Sequence, residues 1–572
     1  MASSSDAPRV HPLLFWGSLV VLNGLLLAPS LLAYHSPGTS WLIARSADVP
    51  WYTALFERPE ADLLRVSVDV VVLLALAGLA ARTPWPKALH LLCVSAYVVL
   101  LAYVVYDAII YTFFHRSGLF YEDVHFFVDA LYLTIDTLTW ERALVGLSGG
   151  VIGVGALCLI PYLFRTVCHG LRAPQHRRPA LIAATLVGLL AGATLLLHGP
   201  QPRTSTTPVL AAGIVDNARS SWAEHRRMQT LGDAPVDSLY DSYEKLTLTD
   251  RPHIFLFMIE SYGNVLATHD DLAASYRSLL HRTERTLADD GWHMATGQSE
   301  APMRGGRSWL GVSSIHAGVR LDIQPLYERF LDRAGDYPHL VHTLQQQGYE
   351  TITLQPATRE RPGIPIVEPY GFDQMLHHDD LNYTGPSFGW GLVPDQYSLN
   401  YAHEAAVAPA EDPVFLSFLT VSSHAPWDDP PPHPDDWRTL NEVTPDDAPE
   451  PASTTAQQFF DLVAYNMRVL RTYITERMPD NSVAIILGDH QPPILRGPTA
   501  HTPVHVVSRD TALVETFKRH GFVDGLQGAL DTPDDLRHAG IYSLLLHALA
   551  ERASELPPPV RRKGINPSIL AE

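Results

Sequence analysis

Five residues of this chain have types and settings that suit metal-assisted chemistry. Glu260 closes the apolar run "HIFLFMIE" (253–260), His424 closes "PVFLSFLTVSSH" (413–424), and Asp489 and His490 close "SVAIILGDH" (482–490). Ser308 stands in "RGGRSWLGVSSIHAG" (304–318), after Gly305 and Gly306 and at the start of an expected helix. Two carboxylates and an imidazole suit Zn²⁺, Mn²⁺ or Mg²⁺. A serine at a helix N-terminus sits where backbone N–H groups favour a phosphate, and metal coordination would activate its hydroxyl as a nucleophile. Each residue also has a structural reading when taken alone. Glu260 can neighbour a helix cap, Asp489-His490 can form a turn held by Gly488 and Pro492, and Ser308 can be an N-cap. The joint pattern favours a metal, because an acid placed after a buried strand is costly unless paired.

Several elements must bring these residues together. Short apolar strands alternate with helical patterns such as "LAASYRSLLHRTERTLADD" and "AQQFFDLVAYNMRVLRTYITERM", with further strands at "YETITLQP" and "TPVHVVSR". That alternation predicts an α/β domain with a mainly parallel, buried sheet over about 251–560. Ligands of such sheets bind at the carboxyl edge, which is where three of these strands would place their terminal acids and imidazoles. The Pro/Asp-rich stretch 427–455 reads as a long surface insertion.

The first 198 residues differ from the rest. Apolar runs at about 13–34, 65–81, 88–112, 143–164 and 180–197 approach the length that crosses a bilayer. We expect a five-helix transmembrane domain, with 199–250 as connector. The basic loops holding Arg82 and Lys87, and Arg165, Arg172, Arg177 and Arg178, are expected on the cytoplasmic side. The catalytic domain then lies outside, and the 113–142 loop rests at the outer lipid surface. A chain of 572 residues exceeds one core, and 46% hydrophobic with 18% charged residues agrees with a membrane portion. The net charge of −20 disfavours nucleic-acid binding. The three cysteines, Cys93, Cys158 and Cys168, all precede the expected catalytic domain, so that domain has no disulfide framework. Asp69 and Asp107 fall inside apolar runs, as in a transporter, or else are paired within the bundle.

The order of motifs, "MIESYG" (258–263), the Gly-rich loop with Ser308, "TVSSHAPW" (420–427) and "LGDHQ" (487–491), resembles the lipoteichoic acid synthase-like phosphoglycerol transferases of the alkaline phosphatase/sulfatase superfamily. The resemblance spans the whole chain and implies a sulfatase-like catalytic domain on a membrane anchor. It implies that Glu260, Ser308, Asp489 and His490 ligate one divalent metal, Mn²⁺ or Mg²⁺ foremost and Zn²⁺ as the other option. It makes Ser308 the nucleophile, in place of the family's threonine. It places His424 and Arg359 on the substrate head group, although Ala357 stands where the family has a tryptophan and Arg361 could replace Arg359. His501 matches a histidine of the related phosphoethanolamine transferases. The implied reaction moves glycerol phosphate from a membrane phospholipid donor, through phospho-Ser308, to an extracytoplasmic glycan or polyol acceptor. The alternatives are a phosphoethanolamine transferase or a phosphodiesterase or sulfatase-like hydrolase. The cysteine-free outer domain favours the phosphoglycerol branch, and "RSWLG" lacks the C/S-x-P-S-R motif of sulfatases.

Overall fold

The computed structural model describes residues 10–34, 55–58, 62–80, 86–114, 116–126, 140–199, 205–230, 243, 245–360, 366–389, 393–427, 429–443, 455–495, 497, 499–552 and 557–564. Arg361 and loop residues 127–139 lie outside them. The chain divides into two units, Met1–His225 and Arg226–Glu572.

In the first unit, helices α1 (Pro12–Tyr34), α2 (Val68–Ala80), α3 (Pro86–Phe114), α4 (Trp140–Gly170) and α5 (Pro174–His198) follow the apolar runs. Among the described residues, four segments are long and apolar enough to cross a membrane: Pro12–Tyr34, Lys87–Thr112, Gly146–Gly170 and Pro174–His198. The second run is shorter, with an apolar helical stretch of Val68–Gly78. Phe15, Leu22, Leu74, Tyr97, Phe164 and Val167 pack the helices together, while residues such as Val99, Val151 and Leu196 stay exposed. Asp69 does not behave as an ion-relay group. Its carboxylate accepts the Leu210 and Ala211 amides at 2.6 and 3.1 Å, capping helix α6 (Leu210–Thr230). Asp107 accepts the Tyr34 hydroxyl at 2.9 Å, a pairing inside the bundle.

The second unit is built on one eight-stranded sheet of order β4-β3-β5-β1-β6-β7-β2-β8. Its strands are β1 (His253–Ile259), β2 (His293–Glu300), β3 (Glu350–Gln355), β4 (Gln374–His377), β5 (Val414–Leu419), β6 (Ser482–Gly488), β7 (His501–Ser508) and β8 (Val523–Asp524). The run β4-β3-β5-β1-β6 is parallel, and β7, β2 and β8 add on by antiparallel pairing. Helices cover both faces, so the central strands are apolar on both sides. Along β1, Ile254, Leu256 and Met258 enter one core and Phe255, Phe257 and Ile259 the other, the period-two alternation of a strand. The first core is closed by α8 (Ser308–Ala317), α10 (Thr511–Arg519) and α11 (His538–Arg552); the second by α7 (Ala273–Asp289) and α9 (Ala456–Glu476). Thr455 opens α9 with a capping box, its hydroxyl accepting the Gln458 amide.

Candidate metal centre

The centre forms where β1 and β6 end side by side. Ile259 pairs with Gly488 in parallel register, so the next residues, Glu260 and Asp489, leave the sheet together. Gly488 is required there: a Cβ would lie 1.7 Å from the Tyr262 carbonyl oxygen. Ser261 takes a left-handed φ of 62°, turning the chain back over the strand end. On the opposite wall Gly306 and Arg307 are both left-handed, with φ of 59°, and deliver Ser308 as the first residue of α8. The helix lies so close that a Cβ on Gly311 would meet the Asp489 carbonyl oxygen at 3.0 Å. Arg307 is the N-cap, with no side-chain cap bond. Ser308 is therefore not the cap, and its hydroxyl has another partner.

That partner is Glu260. Ser308 Oγ donates to Glu260 Oε2 at 2.8 Å and lies 3.3 Å from His490 Nε2. His490 Nε2 is 3.4 Å from both Glu260 Oε1 and Asp489 Oδ2. Ligand atoms of Glu260, Asp489 and His490 all fall within 4.8 Å of one another, and all three residues are buried. The His490 ring is oriented by its other nitrogen: Nδ1 lies 2.8 Å from the Gln491 carbonyl oxygen. A carbonyl only accepts, so Nδ1 carries a proton and Nε2 faces the carboxylates. Asp489 Oδ1 accepts the Ser261 and His490 amides, both at 2.7 Å, whereas Oδ2 is buried with no hydrogen-bond partner.

Electrostatics describe the same site. Burial pushes the Asp489 carboxyl well above its ordinary value, and the charge of Glu260 adds to this. Burial pushes Glu260 the same way, but His490 and then His424 outweigh it and hold that carboxyl below its ordinary value. Two buried carboxylates in contact resist ionising together. A dication would remove that conflict and occupy the orphaned Oδ2. The donor set of two carboxylates, an imidazole and a hydroxyl fits a divalent ion.

The remaining candidates spread along the same edge. His424 follows Ser423, whose hydroxyl donates to the Glu260 carbonyl oxygen at 2.7 Å. The His424 ring places Nδ1 2.6 Å from the Ala425 carbonyl oxygen, and its charge reaches Glu260. Arg359 follows β3, just past a turn in which the Thr358 amide donates to the Gln355 carbonyl. One strand, β5, lies between β3 and β1 in the sheet. His501 opens β7; because β7 runs antiparallel to β6, this puts His501 at the same edge. Its Nε2 lies 3.0 Å from the Asp534 carbonyl oxygen.

A supporting layer escaped the sequence reading. Asn466, fully buried on α9, donates through Nδ2 to Thr420 Oγ1 at 3.1 Å and Ser423 Oγ at 3.0 Å. Thr420 Oγ1 in turn accepts the Glu260 amide at 3.1 Å. Asp395, fully buried, accepts the Val421 and Ser422 amides and so fixes the loop that carries His424. Burial, opposed by those hydrogen bonds, pushes its carboxyl up to about 6. His538 of α11 bonds the Gly488 carbonyl through Nε2 at 3.0 Å and the Ser299 hydroxyl through Nδ1 at 2.8 Å. The only signal for this layer was the hydroxyl-rich "TVSS" before His424.

A sulfatase family model matches residues 310–524. The match takes in Arg359, His424, Asp489, His490 and His501 and starts just after Ser308. Residues 310–524 of the C-terminal unit thus carry a sulfatase-type domain. Similar solved structures include the lipoteichoic acid synthase LtaP from Listeria monocytogenes, at 14% identity over 58% of this chain and 81% of that one, with a TM-score of 0.38. The lipooligosaccharide phosphoethanolamine transferase EptA from Neisseria meningitidis, an integral membrane protein, is 12% identical over 95% of this chain and 96% of that one, with a TM-score of 0.40. The phosphoglycerol transferase GacH from Streptococcus pyogenes is 13% identical over 56% of this chain and 86% of that one, with a TM-score of 0.34. No curated protein gives a significant match.

Proposed function

We propose that the chain is a membrane-anchored, metal-dependent phosphotransferase that moves a phospholipid head group, foremost glycerol phosphate from phosphatidylglycerol, to an extracytoplasmic glycan or polyol hydroxyl. The carrying observation is the Ser308 hydroxyl, held at a helix N-terminus 2.8 Å from Glu260 and 3.3 Å from His490. Glu260, Ser308, Asp489 and His490 would hold the metal, Mn²⁺ or Mg²⁺ foremost. When bound, it would supply positive charge that lowers the pKa of the serine and neutralises phosphate oxygens.

The chain's own groups do the rest. Ser308 Oγ attacks the donor phosphorus in line, its proton passing to the buried carboxylate pair. The bond from phosphorus to the lipid oxygen breaks, and His424 protonates that oxygen as diacylglycerol leaves. Phospho-Ser308 remains. The acceptor hydroxyl then attacks the same phosphorus, losing its proton to His424, and Ser308 is released with its proton restored. Arg359 steadies the head-group charge. The absence of cysteine after Cys168 supports the phosphoglycerol branch. His501 at the carboxyl edge favours ethanolamine phosphate as the second reading. The apolar helices give such an enzyme access to a lipid donor, and the basic loops support an outward-facing catalytic unit.

Product analysis with labelled phosphatidylglycerol and phosphatidylethanolamine side by side tests this reading. Diacylglycerol released from phosphatidylglycerol alone, and lost in Ser308→Ala, supports it. Release from phosphatidylethanolamine alone moves the donor to the second reading. Release from neither lipid ends the phospholipid proposal.

A further inference from the structure

The C-terminal unit gathers positive charge on one face, although the chain as a whole has a net charge of −20. Arg282 and Arg285 stand on α7, Arg468 and Arg471 on α9. Residues three apart are neighbours on a helix surface, so each helix offers a pair. The two helices pack against each other in the second core, with Leu279 and Leu280 of one and Leu470 and Ile474 of the other turned inward. Arg282, Arg285 and Arg468 are exposed and Arg471 is half-buried. Burial, then the charges of Arg468 and Arg282, push the Arg471 guanidinium below its ordinary value, so the two pairs form one patch. His433 borders it. Its ring lies 6.2 Å from that of Tyr465, one turn before Arg468, and its Nε2 is buried with no hydrogen-bond partner.

These arginines differ from others in the same unit. Arg320, Arg509, Arg519, Arg537 and Arg552 each pair with a carboxylate. The guanidiniums of Arg282, Arg285, Arg468 and Arg471 make no ion pair and no hydrogen bond. The carboxylates on the outer faces of the two helices lie toward their ends. Asp289 follows Arg285 by one turn, Asp461 precedes Arg468 by two turns and accepts from Gln457 at 2.8 Å, and Glu476 acts on His433. Like charges at helical neighbour spacing are destabilising, and an anion bound among them removes that cost. Guanidinium forks match phosphate oxygens two at a time, and two pairs of forks call for more than one phosphate. Among the described residues, no large apolar side chain of either helix is exposed, Phe, Tyr and Trp included. The face therefore has nothing to insert into a lipid surface and no such ring on which to stack a base. We propose that the α7–α9 face docks a soluble polyanion with repeated phosphate groups, through residues that are all distinct from those of the metal centre.

The test uses the full chain in phosphatidylcholine nanodiscs, titrated by calorimetry with medium-chain polyphosphate. Binding should be saturable. The double substitution Arg468→Gln with Arg471→Gln should weaken it at least about tenfold, a difference of about 1.4 kcal/mol, and Arg282→Gln should weaken it in the same direction. Arg519→Gln removes the same charge from an ion-paired position on α10 and should leave binding unchanged. Ser308→Ala should also leave it unchanged, which separates this face from the proposed catalysis. No saturable binding, indifference to the α7 and α9 substitutions, equal weakening by Arg519→Gln, or loss of binding in Ser308→Ala would each overturn the proposal. So would polyglutamate binding as tightly as polyphosphate, which would remove the phosphate preference. Loss of polyphosphate binding in phosphatidylglycerol nanodiscs would overturn it too, by giving the face to the membrane.

Discussion

The Asn466→Ala substitution tests whether the buried amide behind the metal centre sets the position of Glu260. Asn466 makes two hydrogen bonds, to Thr420 Oγ1 and Ser423 Oγ, and these two hydroxyls hold the Glu260 amide and carbonyl. Removing two neutral hydrogen bonds costs about 1 kcal/mol each, and the emptied volume in a closed core adds to that, for a total of about 2–4 kcal/mol. The effect should also travel. With their outer partner gone, Thr420 and Ser423 no longer fix the peptide that aims Glu260, and loss of such outer partners typically lowers metal affinity tenfold to a hundredfold. Thermal unfolding of the full chain in detergent gives the first quantity, and calorimetric Mn²⁺ titration gives the second. A lowered unfolding midpoint with unchanged Mn²⁺ affinity would refute the positioning argument and leave Asn466 as a packing residue. An unchanged midpoint would refute the hydrogen-bond ledger itself.

Other perturbations probe neighbouring parts. Gly488→Ala places a methyl on the Tyr262 carbonyl; overpacking of this kind costs about 1–3 kcal/mol or more, so the thermal midpoint and metal affinity should fall together. Chelation should abolish head-group release and lower the midpoint, because an ion present at a hundred times its Kd stabilises by about 2.7 kcal/mol; turnover that persists in chelator would remove the metal from the mechanism. Burial holds His505 at about 3 in the folded protein, below its ordinary 6.5. The unfolded chain therefore takes up this proton first, so the stability from neutral His505 is complete above pH 6.5 and is lost as pH falls toward 3. His505→Gln should make the slope of stability against pH shallower by about 1.4 kcal/mol per unit between pH 4 and 6, as read from urea unfolding at stepped pH.

The parts of the site legible in the sequence are those in which a polar residue ends an apolar run. Glu260 and Asp489-His490 stand out because six or more buried neighbours precede each of them. The sheet was legible as strands but not as directions. A strand buried on both faces has the same composition whether it runs up or down, and β7 proved antiparallel to β6. β2 was invisible because its sequence, HMATGQSE, carries polar residues that are nonetheless buried. Thr296 bonds His505 and the Gly525 carbonyl, and Gln298 bonds Asn264 and the Thr532 carbonyl, so that partners distant in sequence replace water. Asn466 and His538 were hidden for the same reason: each is one polar residue inside a helix, and its meaning depends on a carbonyl or hydroxyl brought in by another element. Asp69 had two readings in the sequence, and the structure makes it a helix cap.

Strain marks the centre independently of any motif. Among the described residues, the non-glycine positions with left-handed φ are Ser261, Arg307 and Asn382. Ser261 and Arg307 each adjoin a proposed ligand, Glu260 in one case and Ser308 in the other. Such conformations cost about 1–3 kcal/mol each and persist only where surrounding structure over-determines them. At Ser261 the determination is visible: its amide donates to Asp489 Oδ1 and its hydroxyl to Glu260 Oε1. The unfavourable turn thus aligns both carboxylates at once. A simple capped turn has no need of this, since a relaxed backbone would satisfy it. Two buried acids oriented at one point by a strained residue, with a hydroxyl delivered opposite by a second strained residue, make sense where a positive charge and a reacting phosphate meet. Ser308 does not act as an N-cap: a capping hydroxyl accepts a backbone N–H two or three residues on, whereas this one donates to Glu260.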